Sequence, residues 1–348
     1  MKNDEMLPME RVLTSLSFKE PDRVPFFLLL TTQGAREFNV SVREYFSRPE
    51  MLAQAQIRMQ QRYGHDCLYS FYYASLEMEA WGGESIFFDD APPNAGKPVI
   101  SEIEEICSLE APDVYESERL GDVLQSTKLL KEAAGEDIPI IGVVISPFSL
   151  PSMQMGLGRY FDLIYEEPAL FEELMVINEE FSVQWANAQI EAGATAICYF
   201  DPVSSTTIIP PELYRKTGFK VARRSISRIN APVATHMASG RCMPLIDDLA
   251  ETGTVAICTS ALEDLEEVKS ACEGRMAVLG NLNGIEMRRW STKDAEHNVR
   301  NAIEKAAEGG GYILSDNHGE IPSQVSRDVL MALSESVKKW GSYPIRLA

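Results

Sequence analysis

The chain has 348 residues, of which 45% are hydrophobic and 24% charged, a composition typical of a globular protein and not of a disordered one. Its formal net charge of -20 argues against nucleic acid or an anionic membrane surface as the partner, because both require basic patches. The six cysteines are scattered without a Cys-x-x-Cys pair, and no run of about 18 apolar residues occurs, so we expect free thiols in a cytoplasmic protein without a membrane span.

Eight short apolar runs are spaced along the chain, and each is typical of a strand buried on both faces of a parallel sheet. They are residues 24–30, 66–71, 139–146, 194–200, 232–238, 255–260, 276–282 and 312–316. Segments with helical period lie between several of them, most clearly 168–193, 241–253 and 261–274, each of which ends on a glycine.

This alternation predicts βαβ units, and eight such units close most economically as a single (β/α)8 TIM barrel, an α/β fold that we assign to residues 1–348. An open, doubly wound sheet would show the same alternation, but the count of eight favours closure. Residues before the first strand predict an N-terminal helical extension. Residues 82–100, which contain a Pro-Pro-Asn turn, predict a hairpin insertion after the second strand.

Histidines and an aspartate follow three of the predicted strands. His236 ends strand five, His318 follows strand eight and Asp201 follows strand four. Because active sites of such barrels form at the carboxyl ends of the strands, these three are candidate catalytic residues. The alternatives are structural hydrogen bonding by the histidines and a turn formed by the aspartate before a proline. His65 and His297 lack this placement and are predicted to lie at the surface.

Other polar residues near strand ends are candidate contacts for a substrate or a metal. The candidate substrate contacts are Gln33, Arg36, Tyr73, Ser146, Ser204 and Asn281, although core packing is an alternative for Tyr73. Cys242 lies six residues after His236 and could share a metal with His236 and His318.

Six segments together resemble the uroporphyrinogen decarboxylase superfamily, from about Met9 to Pro344. They are residues 9–27, 147–150, 200–205, 232–240, 279–284 and 314–322. The resemblance implies a (β/α)8 barrel. The superfamily includes corrinoid-dependent methyltransferases, which move a methyl group from methylcobalamin to a thiol such as coenzyme M.

The decarboxylase branch has an Arg-Gln-Ala-Gly-Arg run after strand one and a catalytic Asp after strand two. The matching segment 32–36 keeps Gln33 and Arg36 but begins with Thr32, and Tyr73 most nearly aligns with the Asp. A polyanionic tetrapyrrole in this site would therefore lack one arginine contact and the carboxylate that orients its pyrrole N–H groups. Decarboxylation is therefore the alternative hypothesis, with Arg36 and His318 as anion contacts.

The methyltransferase branch has a zinc site formed by a His-x-Cys after strand five and a Cys after strand eight. His236 matches the histidine, but Ala238 replaces the cysteine and His318 occupies the strand-eight position. Zinc needs about three protein ligands, so Cys242, Asp316 or Glu320 would have to complete the site. Without zinc, an amine acceptor assisted by His236 or His318, or an O-methyl or N-methyl donor, fits better.

We therefore expect a corrinoid-linked methyltransferase that moves a methyl group between methylcobalamin and a small-molecule donor or acceptor. The sequence has no Asp-x-His-x-x-Gly motif, so a separate corrinoid protein would deliver the cobalamin. The alternatives are a uroporphyrinogen decarboxylase-like enzyme and a non-catalytic barrel that binds a corrinoid or another small molecule. We expect a monomer or homodimer without nucleic-acid or membrane partners.

Overall fold

The computed structural model describes residues 5–346, which form fifteen α-helices, nine strands and four short 3-10 helices. The strands are β1 (Leu68–Tyr69), β2 (Ser85–Ile86), β3 (Asn94–Ala95), β4 (Ile140–Ile145), β5 (Ala196–Phe200), β6 (Val233–His236), β7 (Ala256–Cys258), β8 (Ala277–Leu282) and β9 (Tyr312–Asp316). The 3-10 helices are Ile103–Ser108, Pro202–Ser204, Met243–Leu245 and Glu286–Arg289.

The helices lie between and around these strands. They are α1 (Pro8–Leu16), α2 (Gln33–Phe38), α3 (Val42–Tyr45), α4 (Pro49–Tyr63), α5 (Leu76–Ala80), α6 (Glu118–Ala134), α7 (Pro151–Gln154), α8 (Leu157–Glu166), α9 (Pro168–Ala192), α10 (Pro211–Lys216), α11 (Gly218–Ile226), α12 (Ile246–Ala250), α13 (Leu265–Cys272), α14 (Thr292–Ala306) and α15 (Arg327–Trp340). None of the helices in the described range 5–346 is both long and apolar enough to cross a membrane.

Seven strands form one parallel sheet in the order β1-β4-β5-β6-β7-β8-β9. Apolar side chains cover both faces, and all six residues of β4 are buried, which explains why these segments are apolar throughout. The sheet curls into the predicted (β/α)8 TIM barrel, so the carboxyl ends of β5, β6 and β7 lie side by side, with His236 opposite Phe200 on one side and Cys258 on the other.

The first barrel segment, residues 24–30, closes the barrel but is not the regular strand that the sequence predicts. Phe26 forms an isolated parallel bridge with Leu314 of β9, and the backbone N–H of Asp66 donates to the Phe26 carbonyl at 2.7 Å on the other side. The Gln56 side chain from α4 replaces part of the missing ladder, because its Nε2 donates to the Leu30 carbonyl and its Oε1 accepts from Tyr69 N. The Gln56 side chain therefore links residues 24–30 to β1 where direct backbone hydrogen bonds between them are absent.

A buried ion network holds the first barrel segment to its neighbours. Asp66 is fully buried and accepts from Arg11 Nη1 at 2.6 Å, from Arg23 Nη1 at 2.7 Å and from the Phe26 N–H at 2.8 Å. Arg11 also pairs with Asp22, and each guanidinium therefore has a carboxylate partner inside the protein.

The predicted additions to the barrel are both present. The extension is α1, whose Ser15 hydroxyl donates to the Tyr312 carbonyl of β9 at 2.9 Å. The insertion is the antiparallel pair β2–β3, with Ser85 opposite Ala95. The predicted helix 168–193 matches α9, whereas 241–253 begins with the 3-10 helix Met243–Leu245 before α12.

The structure corrects the predicted position of one of the two remaining histidines. His297 is exposed on α14, as expected, but His65 is only 1% exposed. Neither of its ring nitrogens has a hydrogen-bond partner within residues 5–346, and burial lowers the pKa of His65 to about 3. His65 immediately precedes Asp66 and is therefore drawn into the interior by the closure of the barrel.

Candidate active site

A mainly apolar cavity of about 100 Å³ runs along the barrel axis. Met9 and Leu13 of α1 lie at its amino end, and His236, Asp316 and Gly319 lie at its carboxyl end. Aromatic rings from Phe27 and Tyr69 form part of the wall. Asp316 is the one carboxylate that lines it, and no Lys or Arg of the described part of the chain does so. A concave apolar space with a few polar groups at the active end of a barrel is the expected form of a small-molecule site.

His236 occupies the end of β6 with its ring 4.5 Å from that of Phe200, between centroids. Its Nδ1 accepts a hydrogen bond from the backbone N–H of Ala238 at 3.0 Å. A neutral imidazole carries one proton, so this bond places it on Nε2. Burial, followed by the nearby charge of His318, lowers the pKa of His236 to about 3. Near neutral pH, His236 is therefore a neutral hydrogen-bond donor.

The hydrogen bond to His236 depends on an unusual turn of the backbone. Ala238 and Ser239 have φ values of 39° and 61°, in the left-handed region that residues with a Cβ rarely adopt. This turn brings the Ala238 N–H back to the imidazole two residues earlier. Such conformations cluster at functional sites, where the surrounding structure enforces them.

His318 lies at the same rim of the barrel, in the loop after β9. Its Nδ1 is 2.7 Å from the Ser239 hydroxyl, and the Ser239 N–H donates to the Asn317 carbonyl at 2.7 Å. Gly319, the residue after His318, packs close to His236, since a Cβ there would lie 3.2 Å from His236 Cε1. The structure thus brings His236 and His318 together, and it adds Ser239, which the sequence analysis did not single out.

Asp316 ends β9 and is 1% exposed. Its Oδ2 accepts from the backbone N–H groups of His318 at 2.8 Å and Gly319 at 2.9 Å, whereas Oδ1 has no hydrogen-bond partner among the described residues. Burial raises the pKa of Asp316 and raises that of neighbouring Glu320 to about 8. The sequence analysis treated Asp316 only as one possible metal ligand, although its place at a strand end was a signal that it faces the site.

Asp201, the third candidate catalytic residue, does not line the axial cavity. The carboxylate is 1% exposed, and its Oδ1 accepts from the hydroxyls of Ser146 at 2.6 Å and Ser149 at 2.7 Å. Ser146 lies outside that cavity as well. The hydroxyls of Ser146 and Ser149 instead hold the carboxylate between the loops that follow β4 and β5.

Gln33 and Arg36 hold the loop that carries His318 and do not contact the cavity. Gln33 Nε2 donates to the carbonyls of Ile321 at 2.6 Å and Pro322 at 3.1 Å. The guanidinium of Arg36 donates to the carbonyls of Ser323 and Val325, and its side chain is largely exposed. Both residues are thereby assigned a positioning role rather than the predicted contact with a substrate.

The other predicted substrate contacts also lie outside the cavity. The Tyr73 hydroxyl donates to Glu79 at 2.9 Å, and burial raises the pKa of Tyr73 to about 12. Ser204 is buried beside Gly218, where an added Cβ would lie 2.5 Å from its hydroxyl. Asn281 donates to the Ser260 carbonyl and lines a separate cavity of about 230 Å³ beside α14. The structure does not bring these three residues to the histidines.

The residues present do not fit the zinc site that the resemblance implies. The Cys242 thiol points to Glu263, with 3.5 Å between Sγ and Oε2, and no group of three or more His, Cys, Asp or Glu side chains within residues 5–346 could hold a metal. A zinc-bound histidine donates its second ring N–H to an acceptor, whereas Nδ1 of His236 accepts. The predicted ligand set His236, His318 and Cys242 is therefore not assembled.

A family model described as uroporphyrinogen decarboxylase (URO-D) matches residues 7–340. The chain belongs to the uroporphyrinogen decarboxylase family. This confirms the resemblance on which the sequence analysis drew.

Members of both branches are similar to this chain. The methylcobamide:CoM methyltransferase MtaA of Methanosarcina barkeri is 24% identical over 278 residues, covering 78% of this chain and 81% of the relative. A uroporphyrinogen decarboxylase of Xylella fastidiosa is 25% identical over 357 residues, covering 96% and 99%. A solved methyltransferase from Methanosarcina mazei superimposes with a TM-score of 0.87 at 21% identity, covering 96% and 99% of the two chains. The names of these relatives describe enzymes of two different reactions, methyl transfer and decarboxylation.

Proposed function

We propose that this member of the uroporphyrinogen decarboxylase family is a corrinoid-linked methyltransferase that acts on a small molecule. The observation that supports this choice between the two reactions is the charge of the axial cavity. Its described lining has one carboxylate, a neutral imidazole and no Lys or Arg. A substrate with eight carboxylates would find no partner there, while Arg36 is occupied by backbone carbonyls.

Methyl transfer to or from cobalt is a displacement, so the protein has to align the reactants and exclude water. Methylcobalamin would be a co-substrate delivered by a separate corrinoid protein at the carboxyl end of the barrel. The apolar wall of the cavity excludes water from the small molecule. The Nε2–H of His236 orients that molecule by a hydrogen bond and does not supply a proton, because the ring is already neutral.

Proton movement is assigned to His318. It is half-buried, and its hydrogen bond to Ser239 fixes the ring at the rim, next to the cavity. A nitrogen or oxygen that gains or loses a methyl group changes its basicity, and a positioned imidazole can give or take the corresponding proton. No step is assigned to zinc.

The proposal is tested by mixing the purified protein with methylcobalamin or its reduced form and following the visible spectrum. Thiols, amines, tetrahydrofolate, and N-methyl and O-methyl compounds serve as acceptors or donors. We expect a spectral change with at least one compound, and a rate about 10²-fold lower in His318→Gln, since a general acid or base contributes roughly that much. The exposed His297→Gln is the matched control and keeps the full rate.

Two results would contradict the proposed function. One is the absence of any spectral change with all of these compounds. The other is the formation of coproporphyrinogen from uroporphyrinogen, which would assign the protein to the decarboxylase reaction in spite of the cavity charge.

A further inference from the structure

We propose that the carboxyl end of the axial cavity binds a small methylated ammonium ion that retains at least one N–H, with Asp316 Oδ1 as its hydrogen-bond acceptor. The assignment of this ammonium ion as a substrate class rests on the proposed methyltransferase function. An ammonium of this kind would be either the methyl donor or the methylated product.

The unpartnered oxygen of Asp316 is the first observation. One oxygen of this buried carboxylate is held by two backbone N–H groups, and the other has no donor among the described residues although the residue lines the cavity. A buried acceptor without a donor is costly, and a carboxylate is satisfied best by a charged donor. A ligand that brings both an N–H and a positive charge meets both needs.

The walls of the cavity are the second observation. Phe27 and Tyr69 line it, and the remaining lining is mainly aliphatic. Aromatic faces attract cations, above all methylated ammonium groups, whose charge is spread over apolar methyls. The same walls offer nothing to a strongly hydrated anion such as a sulfonate or carboxylate.

The size of the cavity limits the ligand. A cavity of roughly 150 Å³ holds benzene, with its six carbon atoms. The whole cavity, from α1 to Asp316, has a volume of about 100 Å³, so a ligand at its carboxyl end has fewer heavy atoms, as trimethylammonium does. The overall charge of -20 favours the approach of cations and disfavours that of anions.

Binding can be measured without any corrinoid, by saturation-transfer NMR titration at pH 7 with trimethylammonium chloride. Three further compounds are titrated for comparison. Tetramethylammonium has the positive charge but no N–H, tert-butanol is neutral, and methanesulfonate is negatively charged. We expect trimethylammonium to bind at least tenfold more tightly than each of these three. We also expect Asp316→Asn to weaken the binding of trimethylammonium at least tenfold.

Two further variants make the result specific. Glu77→Gln alters another buried carboxyl, which accepts from the Ile145 N–H outside the cavity and has its pKa raised to about 8 by burial, so binding should not change. Ala234→Leu enlarges a side chain of the cavity wall and should abolish binding even if Asp316→Asn fails to fold.

The inference is overturned if Ala234→Leu leaves the affinity unchanged or if folded Asp316→Asn binds as well as the unaltered protein. It is also overturned if tetramethylammonium, tert-butanol or methanesulfonate binds as tightly as trimethylammonium. Methyl transfer from a neutral O-methyl donor without ammonium binding would overturn this inference alone. Ammonium binding without methyl transfer to any compound would overturn only the proposed function.

Discussion

At the scale of single residues, the candidate site is determined by which atoms of its side chains are already engaged. His236 has one nitrogen occupied by a backbone N–H, and Asp316 has one oxygen occupied by two of them. What remains is one donor and one acceptor at the carboxyl end of the cavity. These two free positions, and not the residue types alone, distinguish this site from a metal centre.

The protonation of His236 gives the first prediction. ¹⁵N NMR should show an unprotonated Nδ1 and a protonated Nε2 at pH 7, because the Ala238 N–H occupies the Nδ1 lone pair. The ring should remain neutral down to about pH 4, since its pKa is lowered to about 3. The exposed His297 provides the internal comparison. A protonated Nδ1, or a titration of His236 near pH 6.5, would show that the assigned hydrogen bond is absent in solution.

Because His65 is buried, we predict that the free energy of unfolding depends on pH. Its folded pKa of about 3 lies below the unfolded value of about 6.5, so between these values the unfolded chain binds the extra proton. The free energy of unfolding should therefore fall by about 1.4 kcal/mol for each pH unit below 6.5 on account of this residue. His65→Leu should remove that contribution in urea titrations at pH 7, 6, 5 and 4. If the free energy of unfolding fell equally steeply with pH in His65→Leu and in the control His297→Leu, the contribution assigned to His65 would be refuted.

At the scale of elements, the loop after β9 depends on α2. The side chains of Gln33 and Arg36 donate to four backbone carbonyls between Ile321 and Val325. The Ile321 N–H also donates to the Leu29 carbonyl at 3.1 Å. The loop that presents His318 is thus held by two side chains of α2 that do not line the cavity. Side chains of one element fix the backbone of another, which is how a loop can position a catalytic group.

Removing the amide of Gln33 should loosen this loop. Gln33→Leu preserves the approximate volume but leaves two carbonyls without their donor, which costs about 1–3 kcal/mol. Hydrogen–deuterium exchange of residues 319–325 should accelerate at least about fivefold, with no change in β7. The control is Gln60→Leu, because the amide of Gln60 donates to the His65 carbonyl and not to this loop. Equal exchange in Gln33→Leu and the unaltered protein would refute the positioning role.

The sequence predicted the elements better than the directions of their side chains. The apolar runs located β4 to β9 because strands buried on both faces exclude polar residues. The same argument could not orient Asp201, since the residue after a strand follows whichever face the loop selects. Nor could it reveal that Ala238 turns back to His236, because that contact depends on two left-handed residues without a glycine. The irregularity of the first barrel segment could not be predicted either, because the bond to its Leu30 carbonyl comes from Gln56, a residue of a helix.

At the scale of the whole molecule, the barrel is closed by a network centred on Asp66. Removing its charge leaves Arg23 without its carboxylate partner and weakens the bond to the Phe26 N–H. Asp66→Asn should therefore lower the free energy of unfolding by about 3–5 kcal/mol, measured by urea denaturation. The exposed pair of Asp247 with Arg275 offers the comparison, because Asp247→Asn should cost less than about 1 kcal/mol. Similar costs for the two variants would mean that the network does not hold the barrel closed.

The same closure has a consequence for synthesis on the ribosome. The contacts that join the first barrel segment and α1 to β9 link residues far apart in the chain, as with Ser15 and Tyr312, which are 297 positions apart. A nascent chain cannot form the bridge between Phe26 and Leu314 until β9 has been translated, so its apolar first segment stays without its partner for most of elongation. We therefore expect this segment to depend on chaperones throughout that interval, and that dependence should fall most steeply once translation passes β9.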